Sequence, residues 1–316
     1  MTNVCVVIPC YRVKDQILDV LAKIGPEVNT IFCIDDACPD NTGSYIVEHT
    51  VDNRVNVITH KTNQGVGGAV LTGYEAAINA KADIIIKLDG DGQMDPRLIP
   101  KLIAPITAHR ADYVKGNRLY SLARSQQMPI VRKIGNLALS FMNKFSTGYW
   151  NIFDPTNGYT AIHAKVAHEL PFNKIAKRFF FESDLLFRLN TIRAVICDIP
   201  MTALYNNETS NLNIWHACGV FLVGHIKNYI KRIIYSYYVR NFTIASIELF
   251  LSLILITFGI TIGSLSWAAS INTGIVASSG TVMLAALPIV LGFQLLLSFL
   301  NYDINAVPQQ PLHEYL

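Results

Sequence analysis

The stretch IIIKLDGDGQMDP, Ile84–Pro96, joins a short apolar strand to a turn that carries two acids. Asp89 and Asp91 lie two positions apart, and the glycines beside them let the backbone turn tightly and a ligand approach closely. Both carboxylates can therefore face one point. Oxygen ligands at this spacing suit Mg²⁺ or Mn²⁺ that also binds the oxygens of a diphosphate, because the phosphate completes the coordination shell.

The alternation of a short apolar run with a helical stretch recurs from Val4 to about Lys115. The runs VCVVI, IFCI, VNVIT and DIIIKL predict four strands, and residues 13–24, 41–50, 66–80 and 96–108 predict the helices between and after them. Near-continuously apolar strands in this arrangement are typical of an α/β fold with a mostly parallel sheet and helices on both faces.

Three sets of residues follow three of these predicted strands. Pro9 and Tyr11 follow the first strand, Asp35 and Asp36 end the second, and Asp89–Gln93 follows the fourth. Ligands of parallel sheets bind beyond the carboxyl ends of the strands. The sequence therefore predicts a single ligand site at this edge of the sheet.

The order of these motifs resembles that of family 2 glycosyltransferases, which have the GT-A fold, and more closely that of the branch similar to dolichol-phosphate mannose synthase. The resemblance implies a nucleotide-sugar domain and an inverting transfer by one displacement at C1 of the sugar. The stretches that carry the resemblance span most of residues 4–205 and are IPCYR (8–12), IDDACPDNT (34–42), NQGVGGAVLTGYEAA (63–77), LDGDGQMDP (88–96), GNR (116–118), DPTNGY (154–159) and FFFESDLLFR (179–188).

The resemblance also implies roles for the residues at the ends of the first two strands. Pro9 and Tyr11 would line the pocket of the nucleoside. Asp36, together with Asp35, would contact the base or the ribose.

Further residues of the family site are implied around the diphosphate. Asp89, Asp91 and Gln93 would hold Mg²⁺ or Mn²⁺ and, through the cation, the diphosphate of the nucleotide-sugar donor. Arg118 and Arg132 would bind phosphate groups of the donor or the acceptor, because a planar guanidinium can bind two oxygens at once.

A long uncharged segment follows the predicted α/β domain. From Leu249 to Tyr302 the sequence contains no Asp, Glu, Lys, Arg or His. This run of about 54 residues would form about 80 Å of helix, against about 30 Å of bilayer hydrocarbon, so two crossings fit. We predict two transmembrane helices, at 247–268 and 275–300, that form a hairpin through a short segment at 270–274.

Basic residues predict the orientation of this hairpin. Lys227, Lys231, Arg232 and Arg240 precede the first helix, whereas the joining segment carries no Lys or Arg. The positive-inside rule then places both ends of the hairpin and the catalytic domain in the cytoplasm, in a multi-pass protein of the inner or plasma membrane. Aromatic and basic residues mixed over 214–240 favour helices that lie at the membrane interface and contact lipid headgroups.

Four segments are predicted. They are a GT-A domain at 1–210, interfacial amphipathic helices at 211–245, two transmembrane helices at 246–302 and a cytoplasmic tail at 303–316. The net charge of +3 does not favour nucleic acid as a partner. A two-helix anchor is compatible with a homo-oligomer.

Three functions remain open on the sequence. The first is transfer of a sugar from a UDP- or GDP-sugar to a polyisoprenyl phosphate such as undecaprenyl or dolichyl phosphate, for synthesis of cell-surface glycans. Relatives that use this acceptor usually carry an Arg and a Lys where this chain has Asn206, Glu208 and Asn211. The second function is extension of a lipid-linked saccharide at a sugar hydroxyl, with Asp184, or Glu182, as general base. The third is a catalytically inactive membrane scaffold that binds sugar nucleotide.

Overall fold

The computed structural model describes residues 2–118, 120, 130–201 and 214–316, without the side chains of residues 130–134, 136 and 214–218. The chain forms two compact units. The first comprises residues 1–230 and 308–316, and the second comprises residues 231–307. Residues 202–213, which include Asn206, Glu208 and Asn211, lie outside the described residues.

A seven-stranded sheet lies at the centre of the first unit, in the strand order β3-β2-β1-β4-β6-β5-β7. Strand β6 is antiparallel to β4 and β5, and the other neighbouring strands are parallel. The predicted α/β fold with a mostly parallel sheet is thereby confirmed. The strands are β1 (Val4–Cys10), β2 (Thr30–Asp35), β3 (Val55–Thr59), β4 (Ile84–Lys87), β5 (Tyr113–Asn117), β6 (Thr160–His163) and β7 (Ile196–Pro200).

Helices connect the strands, as the sequence pattern predicts. The first helix begins at Ile17 rather than at the predicted residue 13, because Arg12 has φ +57° and residues 13–16 form a turn. The fourth predicted helix begins with a 3₁₀ turn at Pro96–Leu98, which Asp95 caps by accepting the Arg97 N–H. In the first unit the helices are α1 (Ile17–Ala22), α2 (Thr42–His49), α3 (Val66–Asn79), α4 (Ile99–Thr107), α5 (Ile130–Thr147), α6 (Ala164–His168) and α7 (Phe181–Thr191), followed by α8 (Ile214–Ile234), which continues into the second unit.

Two long helices, α9 (Ile244–Thr273) and α10 (Ser279–Asn305), form the predicted hairpin of the second unit. Both are long and apolar enough to cross a membrane, and only 28% and 11% of their apolar windows are buried. Helix α9 runs to Thr273, farther than predicted, and ends where Gly274 adopts φ +68°. A side-chain carbon at Gly259 would lie 2.6 Å from the Ala285 carbonyl, so only glycine permits this close approach of the two backbones.

A buried charge pair also lies within the second unit. Arg232 Nη1 and Nη2 donate to the two carboxylate oxygens of Asp303 at 2.5 and 3.0 Å, and the Tyr237 hydroxyl donates to Asp303 at 2.6 Å. Both charged side chains are almost fully buried. This network connects the end of α10 to the segment that precedes α9.

The C-terminal residues return to the first unit. Within the predicted tail at 303–316, the residues from Pro308 onward belong to the first unit, where buried Asp112 binds them. The carboxylate of Asp112 accepts the N–H groups of Leu312 and His313 at 2.8 and 2.9 Å and contacts the His313 ring at 2.7 Å. Its fourth contact is the Val195 N–H at 2.7 Å.

The stacked histidines at the docked C-terminal residues predict a pH dependence. The His163 ring stacks on His313 at 4.4 Å, and burial, aided by the charge of His313, lowers the pKa of His163 to about 4. Between pH 6.5 and pH 4, His163 is therefore protonated in the unfolded chain but neutral in the folded protein. The free energy of unfolding consequently falls as the pH falls from 6.5 towards 4.

The free energy of unfolding should fall by about 1 kcal/mol less between pH 7 and pH 5 in His163→Phe, which keeps an aromatic ring, than in the wild type. This value allows for the partial exposure of the His163 ring, which weakens the effect. The measurement is thermal unfolding of the wild type and the variant at pH 7 and pH 5. Equal decreases in the two proteins would show that His163 does not contribute.

Candidate active site

A cavity of about 390 Å³ lies at the carboxyl ends of β1, β2 and β4. Five sequence-predicted site residues line it: Pro9, Tyr11, Asp36, Asp89 and Asp91. The remaining lining residues come from the end of β1 and the turn after it, from the loop before α3 and the start of α3, from the turn after β4 and from the segment before α7. They are Cys10, Val13, Asn63, Gly65, Val66, Ala69, Gly90, Arg178 and Phe179.

Asp35 and Asp36 are neighbours in sequence but have different surroundings. The Asp35 carboxylate accepts the N–H groups of Cys38 and Gly43 at 2.7 and 2.6 Å, so it fixes the turn before α2. Asp36 accepts the N–H groups of Gln64 and Gly65 at 2.8 and 2.7 Å, and so holds the loop before α3 against the cavity. Of the two, only Asp36 is among the described lining residues.

Asp36 has a further buried partner. His60 Nδ1 lies 2.7 Å from Asp36 Oδ1, and His60 Nε2 lies 3.0 Å from the Thr72 hydroxyl on α3. The Asp36 carboxylate is thus bound by His60, which directly follows β3, and by the loop before α3. These contacts fix its orientation at the cavity. Its contact with a nucleoside stays a prediction.

The turn after β4 holds the two acids of the D-x-D motif. Lys87 Nζ lies 3.0 Å from Asp89 Oδ1, and Asp91 Oδ1 accepts the Gln93 N–H at 3.0 Å. Gln93 is half-buried beside the cavity rather than among its described lining residues. Both carboxylates, however, line the same cavity, as the spacing of the motif predicts.

The chemistry of these side chains fits a small divalent cation. Among the residues that the structure describes, no group of three His, Cys, Asp or Glu side chains could hold a metal by itself. Mg²⁺ and Mn²⁺ are commonly bound by one or two carboxylates together with substrate phosphates. The carboxylates of Asp89 and Asp91, which line the same cavity, provide such a donor set.

Lys87 is a site residue that the sequence analysis missed. Its ammonium group is buried and lies between Asp89 and Glu182, at 3.0 and 3.3 Å. Burial alone would lower the pKa of Lys87, but the two carboxylates outweigh it and hold that pKa well above its usual value. A lysine at the end of the otherwise apolar strand IIIK is the only sequence signal for this contact.

A second buried lysine lies in the same row of the sheet. Lys87 and Lys115 are both register partners of Thr160, which lies between them on β6. Burial lowers the pKa of Lys115 to about 8, although nearby Asp154, Glu182 and Asp198 oppose this shift, and its ammonium donates to the Asn157 carbonyl. Two buried lysines therefore lie at the same level of the sheet, on either side of Thr160.

Arg118 forms a two-pronged ion pair with Asp154. Its Nε and Nη2 donate to the two oxygens of Asp154 at 2.8 and 3.0 Å. Burial opposes ionisation of Asp154, but the hydrogen bonds from Arg118 outweigh it and lower the pKa of that carboxyl. The phosphate contact predicted for Arg118 stays a prediction, and the side chain of Arg132 on α5 lies outside the described part of the chain.

Asp184 is held inside the fold. Its Oδ2 accepts the Ala176 N–H at 2.9 Å, and its Oδ1 accepts the Asn228 amide at 2.9 Å. It is buried and is not among the described residues of the cavity wall. Of the two acids considered as a general base, Glu182 is therefore the one connected to the D-x-D motif, through Lys87.

Residues 5–171 match the family model described as glycosyl transferase family 2. The UDP-N-acetylglucosamine–dolichyl-phosphate N-acetylglucosaminyltransferase of Methanococcus voltae is 30% identical over 213 residues, which cover 63% of this chain and 84% of that one. The undecaprenyl-phosphate mannosyltransferase of Micrococcus luteus is 28% identical over 204 residues, or 63% of this chain and 83% of that one.

A solved structure resembles the fold. Glucosyl-3-phosphoglycerate synthase from Mycobacterium tuberculosis, crystallised with Mn²⁺, UDP and glucosyl-3-phosphoglycerate, superposes with a TM-score of 0.51 and 17% identity. The match covers 73% of this chain and 80% of that chain.

Proposed function

Because the chain belongs to glycosyl transferase family 2, we propose that it transfers one sugar from a UDP- or GDP-sugar to a polyisoprenyl phosphate such as undecaprenyl phosphate. The observation that carries this proposal is the cavity where Tyr11, Asp36, Asp89 and Asp91 meet at the carboxyl edge of the sheet. The names of the two relatives describe transfers to a polyprenyl phosphate, which supports the choice of acceptor.

In this proposal Asp89, Asp91 and Gln93 would hold Mg²⁺ or Mn²⁺. The cation would offset the negative charge that develops on the departing nucleoside diphosphate. Lys87 holds the Asp89 carboxylate in place, and Asp36 keeps the loop before α3 at the cavity wall. Tyr11 and Pro9, which line the cavity, would contact the nucleoside of the donor. A phosphate acceptor is already ionised at pH 7 and attacks without a general base.

We further propose that the hairpin α9–α10 anchors the protein in the inner or plasma membrane, with the first unit in the cytoplasm. The proposed organisation keeps a GT-A domain at 1–210, interfacial helices at 211–245, a membrane hairpin at 246–302 and a tail at 303–316 whose last residues bind the first unit. Lys227 and Lys231 are exposed on α8, where they can contact anionic headgroups.

The proposal is tested with purified full-length protein in detergent. Radiolabelled UDP- and GDP-sugars are supplied one at a time with undecaprenyl phosphate and Mg²⁺, and transfer yields a chloroform-soluble product. If no donor gives this product but a lipid-linked saccharide is extended, the acceptor is a hydroxyl and the second function replaces the first.

The second function has a specific observation in its favour, because Glu182 contacts Lys87 beside the D-x-D motif. A hydroxyl acceptor needs a base, whereas a phosphate acceptor does not. With polyisoprenyl phosphate as acceptor, we therefore expect Glu182→Gln, which keeps a hydrogen-bond acceptor for Lys87, to lower kcat by less than about tenfold.

The measurement compares kcat of Glu182→Gln with that of Glu75→Gln, which alters an exposed Glu on α3. A loss of about 10²- to 10⁴-fold with Glu182→Gln alone would identify a general base and favour a hydroxyl acceptor. Asp184→Asn is less informative, because it disturbs the contacts of Asp184 with Ala176 and Asn228.

A further inference from the structure

Arg178 is a cavity residue to which neither the sequence motifs nor the proposed mechanism gives a role. It lines the same cavity as Asp89 and Asp91 and precedes α7 in the chain. Its backbone position is fixed, because its carbonyl accepts the Phe181 N–H at 2.8 Å and the preceding carbonyl, that of Lys177, accepts the Gly68 N–H at 3.1 Å.

The side-chain stem of Arg178 is packed against the loop before α3. A side-chain carbon at Gly65, which has φ +87°, would lie 2.9 Å from Arg178 Cγ and 2.7 Å from the Lys177 carbonyl. Gly65 is itself bound by Asp36 at 2.7 Å. The loop that Asp36 orients therefore also supports the stem of Arg178.

The guanidinium of Arg178 differs from those of Arg118 and Arg188. Arg118 is occupied by Asp154, and Arg188 donates to the Lys174 carbonyl at 3.0 Å. Among the side chains that the structure describes, none forms a hydrogen bond or ion pair with the side chain of Arg178. It therefore brings a positive charge without a hydrogen-bonded partner among the described side chains to a cavity whose other charged lining groups are three carboxylates.

We propose that Arg178 binds phosphate oxygens in this cavity, an inference that rests on the proposed function. A planar guanidinium presents paired N–H donors that match two oxygens of a phosphate. The phosphate belongs either to the donor diphosphate or to the polyisoprenyl phosphate acceptor. Because Arg178 lines the same cavity as the D-x-D acids, the donor diphosphate is the source that the geometry favours.

The test uses the full-length protein in detergent and UDP or GDP with Mn²⁺ as the probe, measured by calorimetry without any acceptor. Arg178→Gln is expected to weaken nucleotide binding by about 10- to 100-fold, the value of a charge-assisted hydrogen bond to phosphate. Arg178→Lys keeps the positive charge but not the paired N–H donors, so its nucleotide affinity is expected to fall less than that of Arg178→Gln. Lys177→Gln is the matched control, because Lys177 is exposed, binds Gln64 at 3.1 Å and does not line the cavity.

The outcomes separate the two phosphate sources. If nucleotide binding is weaker in Arg178→Gln but not in Lys177→Gln, the phosphate that Arg178 binds is that of the donor diphosphate. Unchanged nucleotide binding with a KM for undecaprenyl phosphate raised at least tenfold assigns the acceptor phosphate. If both quantities stay within twofold of the wild type while Arg178→Gln unfolds at the wild-type temperature, the inference is overturned.

Failure of the proposed function gives a different result. If the wild type binds UDP or GDP but forms no polyisoprenyl product with any donor, the acceptor assignment fails. Nucleotide binding by Arg178→Gln then still decides the inference, since that measurement requires no transfer. Loss of binding in Arg178→Gln supports the inference, and wild-type binding overturns it for this protein.

Discussion

Asp91→Ala is expected to lower kcat/KM for sugar transfer by at least about 10³-fold. Asp91 lines the cavity with Asp89, and the two carboxylates together provide the proposed cation site. Removal of one carboxylate leaves a single protein anion to hold the divalent cation, so both cation affinity and charge compensation on the leaving diphosphate decline. Because the Asp91 side chain is only half-buried, the fold should tolerate alanine at this position.

The measurement combines initial rates with Mn²⁺ titration followed by electron paramagnetic resonance, which reports cation binding without turnover. Asp19→Ala is the control, because Asp19 is an exposed acid on α1 outside the cavity. Near-wild-type rates with Asp91→Ala, or full activity of the wild type after chelation, would remove the metal assignment.

Lys87→Met is expected to cost about 3 kcal/mol of unfolding free energy and to lower turnover at least tenfold. The substitution leaves the carboxylates of Asp89 and Glu182 near each other without the ammonium that lies within 3.3 Å of both. Methionine fills a similar volume, so the loss reports charge rather than packing. Turnover falls because Asp89 loses the contact that orients it.

The readout is the midpoint of thermal unfolding, which should fall by about 5 to 10 °C. Lys101→Met, at an exposed position on α4, is the control and should leave the midpoint unchanged. The double variant Lys87→Met/Glu182→Gln should lose less unfolding free energy than the two single variants lose together, because one of the two repelling carboxylates is removed. Strict additivity would mean that Lys87 and Glu182 are not coupled.

The strands and the acidic turn could be predicted because both depend on local sequence. Four apolar runs separated by helical stretches define the parallel part of the sheet, and the carboxyl ends of its strands lie at one edge. The register of β1 with β2, which pairs Cys10 with Asp35, then brings Tyr11 and Asp36 to the same edge. Asp89 and Asp91 follow from β4 by the same geometry.

The contacts beneath the turn could not be predicted, because they depend on the order of distant strands. Lys87 and Lys115 belong to one row only because β6, which follows both in sequence, inserts between β4 and β5 with Thr160 at their level. The difference between Glu182 and Asp184 is likewise spatial. Glu182 and Asp184 are two positions apart on a helix, which corresponds to about 200° of rotation. Their side chains therefore point in nearly opposite directions.

The binding of the C-terminal residues by Asp112 also connects two positions about 200 residues apart that no sequence pattern relates. Residues 231–307 are consequently joined to the first unit at both ends, through the backbone at Ile230 and again at Pro308. A proteolytic nick in the segment between Thr273 and Ser279 therefore does not release the second apolar helix as a loose fragment. Its far end remains attached non-covalently through His313, so electrophoresis under denaturing conditions is required to reveal such a cut.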